Sequence, residues 1–174
     1  MPHIRTVLYD QCRLEECVND INGLQAGLIR IGTFNSVSAQ WLPGIIRSFH
    51  ADYPAIRFEL LHGTNEQIEE WIRSGRVDIG FIKYPPADTR FIESDDHAVE
   101  AMVEQGLGTS LMSMMMIQGF SRRIAAIPLE PPAWRDLGIG FRERKSLSGA
   151  AAAFLQCTRQ WLAENGYHSE GSSE

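Results

Sequence analysis

The run from Leu28 to Tyr53, LIRIGTFNSVSAQWLPGIIRSFHADY, constrains the fold more than any other stretch of the chain. Leu28, Ile29 and Ile31 form a short apolar run closed by Gly32, the composition of a strand covered on both faces. Trp41, Leu42, Ile45, Ile46, Phe49 and Tyr53 then recur on one face at helical spacing, and Pro54 follows where a helix has to have stopped. Between them TFNSVSAQ reads as a hydroxyl-rich turn, with Thr33, Asn35, Ser36 and Ser38 beside the unpaired N–H groups of a helix start. The carboxyl end of a strand running into a helix is where open α/β sheets bind ligands, so the stretch reads as a ligand cradle. A plainer reading stands beside it, in which the serines bond only to their own backbone as caps.

The chain after Pro54 repeats the pattern. Ile56, Phe58 and Leu60 alternate with Arg57 and Glu59, the mark of a half-exposed strand, and His62 to Thr64 provides the turn. Thr64 and Gln67 have capping-box spacing, Ile68, Trp71 and Ile72 form the inward face of the helix they start, and Gly75 is its left-handed cap. VDIGFI is a third, buried strand ending at Lys83 and Tyr84. The order strand, helix, strand, helix, strand predicts parallel pairing with right-handed crossovers.

Further on, Ser94 or Asp95 caps a helix with Val99, Met102 and Val103 on its apolar side. Gly106 and Gly108 end it before a strand at TSLM. The MSMMM run reads as core or as exposed filler, and as an association surface if its packing partners are missing. Ile124, Ile127 and Leu129 mark one more strand and Leu137, Ile139 and Phe141 another. Ser146 or Ser148 then caps a long helix with Ala151, Phe154, Leu155, Thr158, Trp161 and Leu162 inward. Residues 166–174 read as a solvated, disordered tail.

Before the cradle, Ile4, Val7, Gln11, Leu14, Val18, Ile21 and Gln25 keep a three-four spacing. Residues 1–23 therefore read as a coiled-coil-like linker or dimer arm, with Ile4, Val7, Leu14, Val18 and Ile21 as the dimerisation seam; the alternative is a helix laid on its own domain.

Composition excludes several functions. A formal charge of -6 spread along the chain argues against direct grip on a nucleic-acid backbone. No apolar stretch reaches the length of a membrane span and MPHIRTVLYD is not a secretory signal, so a cytoplasmic protein without membrane association is expected. Cys12, Cys17 and Cys157 have neither disulfide-framework nor zinc spacing and read as free thiols. His50, His62 and His97 are scattered, Asp95 and Asp96 are explained by capping, and no nucleophile elbow, phosphate loop or zincin motif occurs. No enzyme activity, metal or cofactor is expected.

The segment LIRIGTFNSVSAQWLPGIIRSFHADYPAIRFELLHGTNEQIEEWIRSGRVDIGFIKY resembles the start of the effector-binding domain of LysR-type transcriptional regulators, and the preceding helix resembles their linker helix. SDDHAVEAMVEQGLGTSLM is similar to a later helix-glycine-strand segment of that family, and RRIAAIPLEPPAWRDLGIGFRERKSLSGAAAAFLQCTRQWL to its closing strands and final helix. The resemblance implies a periplasmic-binding-protein-like α/β fold of two subdomains with a small effector between them, here over residues 24–165. It carries the effector contacts onto Ser36, Val37, Thr64 and Lys83, and the candidate site takes in their neighbours Ser38 and Tyr84. Backbone N–H groups and a lysine at three strand ends suit a carboxylate or other anion.

Two departures from the family pattern matter. No winged helix-turn-helix precedes Met1, and after IKYPPADTRF the chain passes almost directly to IESDDHAVEAM, where the family has a crossover strand and most of the second subdomain. The first subdomain is thus expected to be essentially complete and the second to be shortened near residues 90–93, by a natural or an engineered deletion. Three functions remain open: the effector-sensing fragment of a LysR-type regulator, homo-oligomeric through its linker; an interaction protein that dimerises with full-length relatives; and a transport solute-binding protein, disfavoured by the missing export signal.

Overall fold

The computed structural model describes residues 26–84, 96–117, 123–132 and 136–167. The dimerisation seam from Ile4 to Ile21, the capping candidates Ser94 and Asp95, and residues 168–174 lie outside them.

The elements are β1 (Gly27–Thr33), α1 (Asn35–Gln40), α2 (Leu42–Asp52), β2 (Ile56–His62), α3 (Asn65–Arg73), β3 (Ile79–Tyr84), α4 (Asp96–Glu104), α5 (Met114–Ile117), β4 (Asp136–Gly140) and α6 (Gly149–Glu164). A single four-stranded sheet runs in the order β2-β1-β3-β4. β1 pairs in parallel with both β2 and β3, as the strand-helix alternation predicts, and β4 adds antiparallel to β3.

Each sheet face is covered for a reason visible in the strands. Ile29, Ile31, Ile79 and Phe81 share one face with Ile56, and there they meet Leu42, Ile45 and Phe49 of α2 and Ala151, Phe154 and Leu155 of α6. Phe154 sits in an aromatic nest, its ring 5.3 Å from Phe49 and 5.2 Å from Phe58. On the other face Gly32, Gly80 and Gly140 stand side by side across β1, β3 and β4, and α3 presses Ile68 and Ile72 onto that bare strip. Ser148 caps α6 by accepting from the Ala151 N–H at 3.2 Å. The chain beyond α6 returns at Gly166, φ 81°, and lays the Tyr167 ring 4.8 Å from that of Trp41.

Several expectations are corrected. The hydroxyl-rich segment after β1 is helical, because Ser38 turns its hydroxyl onto the main-chain oxygens of Phe34 and Asn35, at 3.1 and 3.0 Å, instead of opening a turn. The helix predicted from Trp41 is a second one that begins at Leu42; Pro43 has no N–H to continue the first, so the chain breaks at Trp41. Leu60 is exposed, since the ring cover from Phe49 and Phe154 reaches Ile56 and Phe58 but not the far end of β2. No strand forms at TSLM or through Ile124, Ile127 and Leu129, where the chain has no strand neighbour among the described residues and Ile127 is 85% exposed. The apolar face of α2 is covered by α6, Trp161 lying so close to Gly44 that a Cβ there would meet the indole at 2.6 Å. The methionine run divides, Met116 buried and Met114 exposed.

Candidate functional site

The carboxyl ends of the three parallel strands lie together. Thr33 is in register with His62, and the Gly63 N–H donates to the Thr33 carbonyl at 3.1 Å, so the ends of β1 and β2 are level. The end of β3 is fastened from α3: Asn65 Oδ1 accepts the Lys83 main-chain N–H at 2.7 Å, while Asn65 Nδ2 donates to Glu69 at 2.9 Å. One asparagine thus ties the second strand-helix junction to the third strand.

Thr64 is the N-cap of α3, and its capping box is complete. The Gln67 N–H donates to Thr64 Oγ1 at 3.4 Å, and the Thr64 N–H donates to Gln67 Oε1 at 2.9 Å. The Thr64 hydroxyl proton goes to Glu66 Oε2 at 2.7 Å. This hydroxyl holds the Glu66 carboxyl below the usual carboxylate range, with a smaller contribution from the charge of Lys83. Lys83 carries its ammonium over the Phe34 ring, 5.2 Å from the centroid. Phe34, Thr64, Asn65, Glu66 and Lys83 are therefore one neighbourhood built from three strand ends.

The remaining candidates divide. Ser36 is buried. Ser38 is satisfied by the α1 backbone. Val37 is fully buried in the core cluster that also holds Trp41, and its carbonyl accepts the Trp41 N–H at 3.0 Å. Tyr84 ends β3, in register with Asp136. Sequence reasoning missed Phe34, Asn65 and Glu66. The available signal for Asn65 was a poor helix former in the first turn directly after a strand end.

Cys157 is a free, half-buried thiol whose ionisation burial pushes up. Among the described residues no helix is long and apolar enough to cross a membrane.

A family profile, LysR substrate binding domain, matches residues 22–94 and 92–163. YvbU, an HTH-type transcriptional regulator of Bacillus subtilis, is 23% identical over 220 aligned residues, covering 91% of this chain and 75% of that protein. YoaU, a second HTH-type regulator of the same organism, is 37% identical over 75 residues, which is 43% of this chain and 26% of YoaU. LrrA of Synechococcus elongatus is 30% identical over 91 residues, 31% of its length. Against YoaU and LrrA the chain thus spans about a third or less of the relative. Among solved structures, the reduced form of OxyR superposes with a TM-score of 0.67 at 14% identity, over 82% of this chain and 99% of that one. The reduced OxyR regulatory domain of Pseudomonas aeruginosa gives 0.64 at 15% identity, over 79% and 100%. These likenesses agree with the sheet described above and with the expected open α/β fold.

Proposed function

The chain belongs to the LysR substrate binding domain family, and on that premise we propose that it is the effector-sensing part of a transcriptional regulator. It takes a small molecule at the carboxyl ends of β1, β2 and β3, and it acts on transcription only in company with a DNA-binding domain. The observation that carries the reading is the Asn65 bond to Lys83 at 2.7 Å. It holds a cationic residue and the α3 start around one crevice, where an open sheet takes ligands. Ser36, Val37, Ser38, Thr64, Lys83 and Tyr84 remain the candidate contacts, joined by Phe34 and Glu66. The reading makes the protein cytoplasmic, with no nucleic acid bound by this chain and no catalysis of its own.

An internal shortening near residues 90–93 is part of the proposal. It is supported by the family match falling into two stretches that meet at 92–94, and by the YvbU alignment running over 220 positions, more than the 174 residues of this chain.

Isothermal titration against a panel of small carboxylates, run beside light scattering, tests the reading. Saturable binding by a panel member, weakened in Lys83→Met, is expected; no binding by any small anion would contradict it.

A second reading has an observation of its own. Met102, Leu107, Leu111, Met114, Ile127 and Leu129 are all exposed between residues 102 and 129, and apolar side chains gathered into one exposed patch mark association. In this reading the chain pairs with itself or with full-length relatives, the seam Ile4, Val7, Leu14, Val18 and Ile21 adding to the interface.

A further inference from the structure

β3 reaches past its pairing with β1. The register joins the two strands at Ile79 and Gly80, and β3 then continues to Tyr84 in register with β4. On that stretch the Lys83 main-chain N–H goes to a side chain, Asn65 Oδ1, at 2.7 Å. The Asn65 amide thus stands where a strand carbonyl would, and whatever keeps it turned that way governs the end of β3.

An amide has one donor end and one acceptor end. The Lys83 N–H can only give a proton, and the Glu69 carboxylate takes one from Asn65 Nδ2 at 2.9 Å. The two neighbours call for opposite ends, so a single orientation of Asn65 serves both. Glu69 lies one turn further along α3 and is half-buried. The acidic residues beside it are engaged elsewhere, Glu66 by the Thr64 hydroxyl and Glu70 by Arg73.

We infer that Glu69 is a positioning residue: by setting the orientation of the Asn65 amide it fastens the end of β3 on which Lys83 stands. The inference rests on the effector reading only in calling that end a ligand site. α3 itself does not depend on this contact, since its start is held by the capping box of Thr64 and Gln67 and its seat by Ile68 and Ile72 on the glycine strip.

Amide hydrogen exchange of the full chain, followed by nuclear magnetic resonance, reads the fastening without any ligand. In Glu69→Lys the ammonium offers only donors and draws the Asn65 oxygen to itself, leaving Nδ2 against the Lys83 N–H. The Lys83 amide should then exchange faster by about tenfold or more, the scale of a lost main-chain hydrogen bond, while the amides of β1 keep their parent rates. Glu69→Gln retains an acceptor and should exchange as the parent does. Asn65→Asp, added to Glu69→Lys, should restore protection, because a carboxylate accepts from both neighbours. In an Asn65→Ala chain, already fast at Lys83, Glu69→Lys should add nothing. An unchanged Lys83 rate in Glu69→Lys, or a further rise when it is added to Asn65→Ala, would overturn the inference. A chain that shows the expected exchange pattern and binds no small anion would keep Glu69 in this role and overturn the effector reading alone.

Discussion

Gly80 of β3 lies beside Gly32 of β1, and the pair leaves a bare strip of sheet on which Ile68 of α3 rests. A Cβ at Gly80 would stand 2.5 Å from Ile72 Cδ1 and 2.8 Å from Ile68 Cγ2, so a methyl there must push α3 outward. Gly80→Ala is expected to cost about 1–3 kcal/mol, the scale of overpacking in a close-packed interior. Gly108→Ala, where an added Cβ meets nothing within 4 Å, should stay within about 0.5 kcal/mol. Urea unfolding of the two variants checks both; equal stability would mean that α3 is not seated on the glycines.

Since Asn65 is the first residue of α3 and also fastens Lys83, the same glycine strip supports the candidate site. Gly80→Ala should therefore weaken ligand binding as well as stability. Gly108→Ala should leave binding unchanged in the same titration.

Phe154 is fully buried between Phe49 and Phe58. Phe154→Ala removes the ring that joins α6 to α2 and to the β2 edge, and should destabilise by about 3–5 kcal/mol. The midpoint of denaturant unfolding reads it directly, with the slope unchanged if the denatured state is unaffected.

Asp78 offers a pH test. Its carboxylate accepts the Arg30 main-chain N–H at 2.7 Å, and burial raises its pKa above the ordinary aspartate value despite that bond and the nearby Arg30 charge. In the window between the unfolded and folded values the native state then binds more protons. The Asp78 contribution to stability therefore grows as pH falls through the folded value, and levels off below the unfolded one. Asp78→Asn keeps an acceptor for Arg30 and should remove that acid-side gain while matching or exceeding the parent near neutral pH. Asp78→Ala leaves the N–H unmet and should cost about 1–3 kcal/mol. Unfolding curves measured across the acid range distinguish them.

Thr64 combines capping with the site. Thr64→Val loses the acceptor for Gln67 and the donor for Glu66. It should cost about 0.5–2 kcal/mol in stability and weaken a bound ligand by roughly 1–3 kcal/mol. Thr64→Ser should restore both. Unchanged affinity in the valine variant would remove Thr64 from the site.

How much of this was legible beforehand depended on whether the signal was local. The capping box at Thr64, the left-handed Gly75 with φ 71°, the parallel order of three strands and the inward face of α6 follow from spacing, and the structure has them. The break at Trp41 was also written locally, in Pro43, but the apolar period running through it read as one helix. What could not be read locally were partnerships. Whether Leu60 is covered depends on how far α2 and α6 extend, and whether TSLM or the Ile124 to Leu129 stretch becomes a strand depends on a neighbouring strand being present. Asn65 was invisible as a site residue for the same reason, because its partner Lys83 is 18 positions away.

Nuclear magnetic resonance of the amide groups, during titration with the small-carboxylate panel, tests the central claim most directly. Binding at the three strand ends predicts shifts concentrated on Phe34 to Ser38, Thr64 to Gln67 and Lys83. Shifts confined to the exposed apolar stretch from Met102 to Leu129, or a spectrum unmoved by every compound, would contradict it.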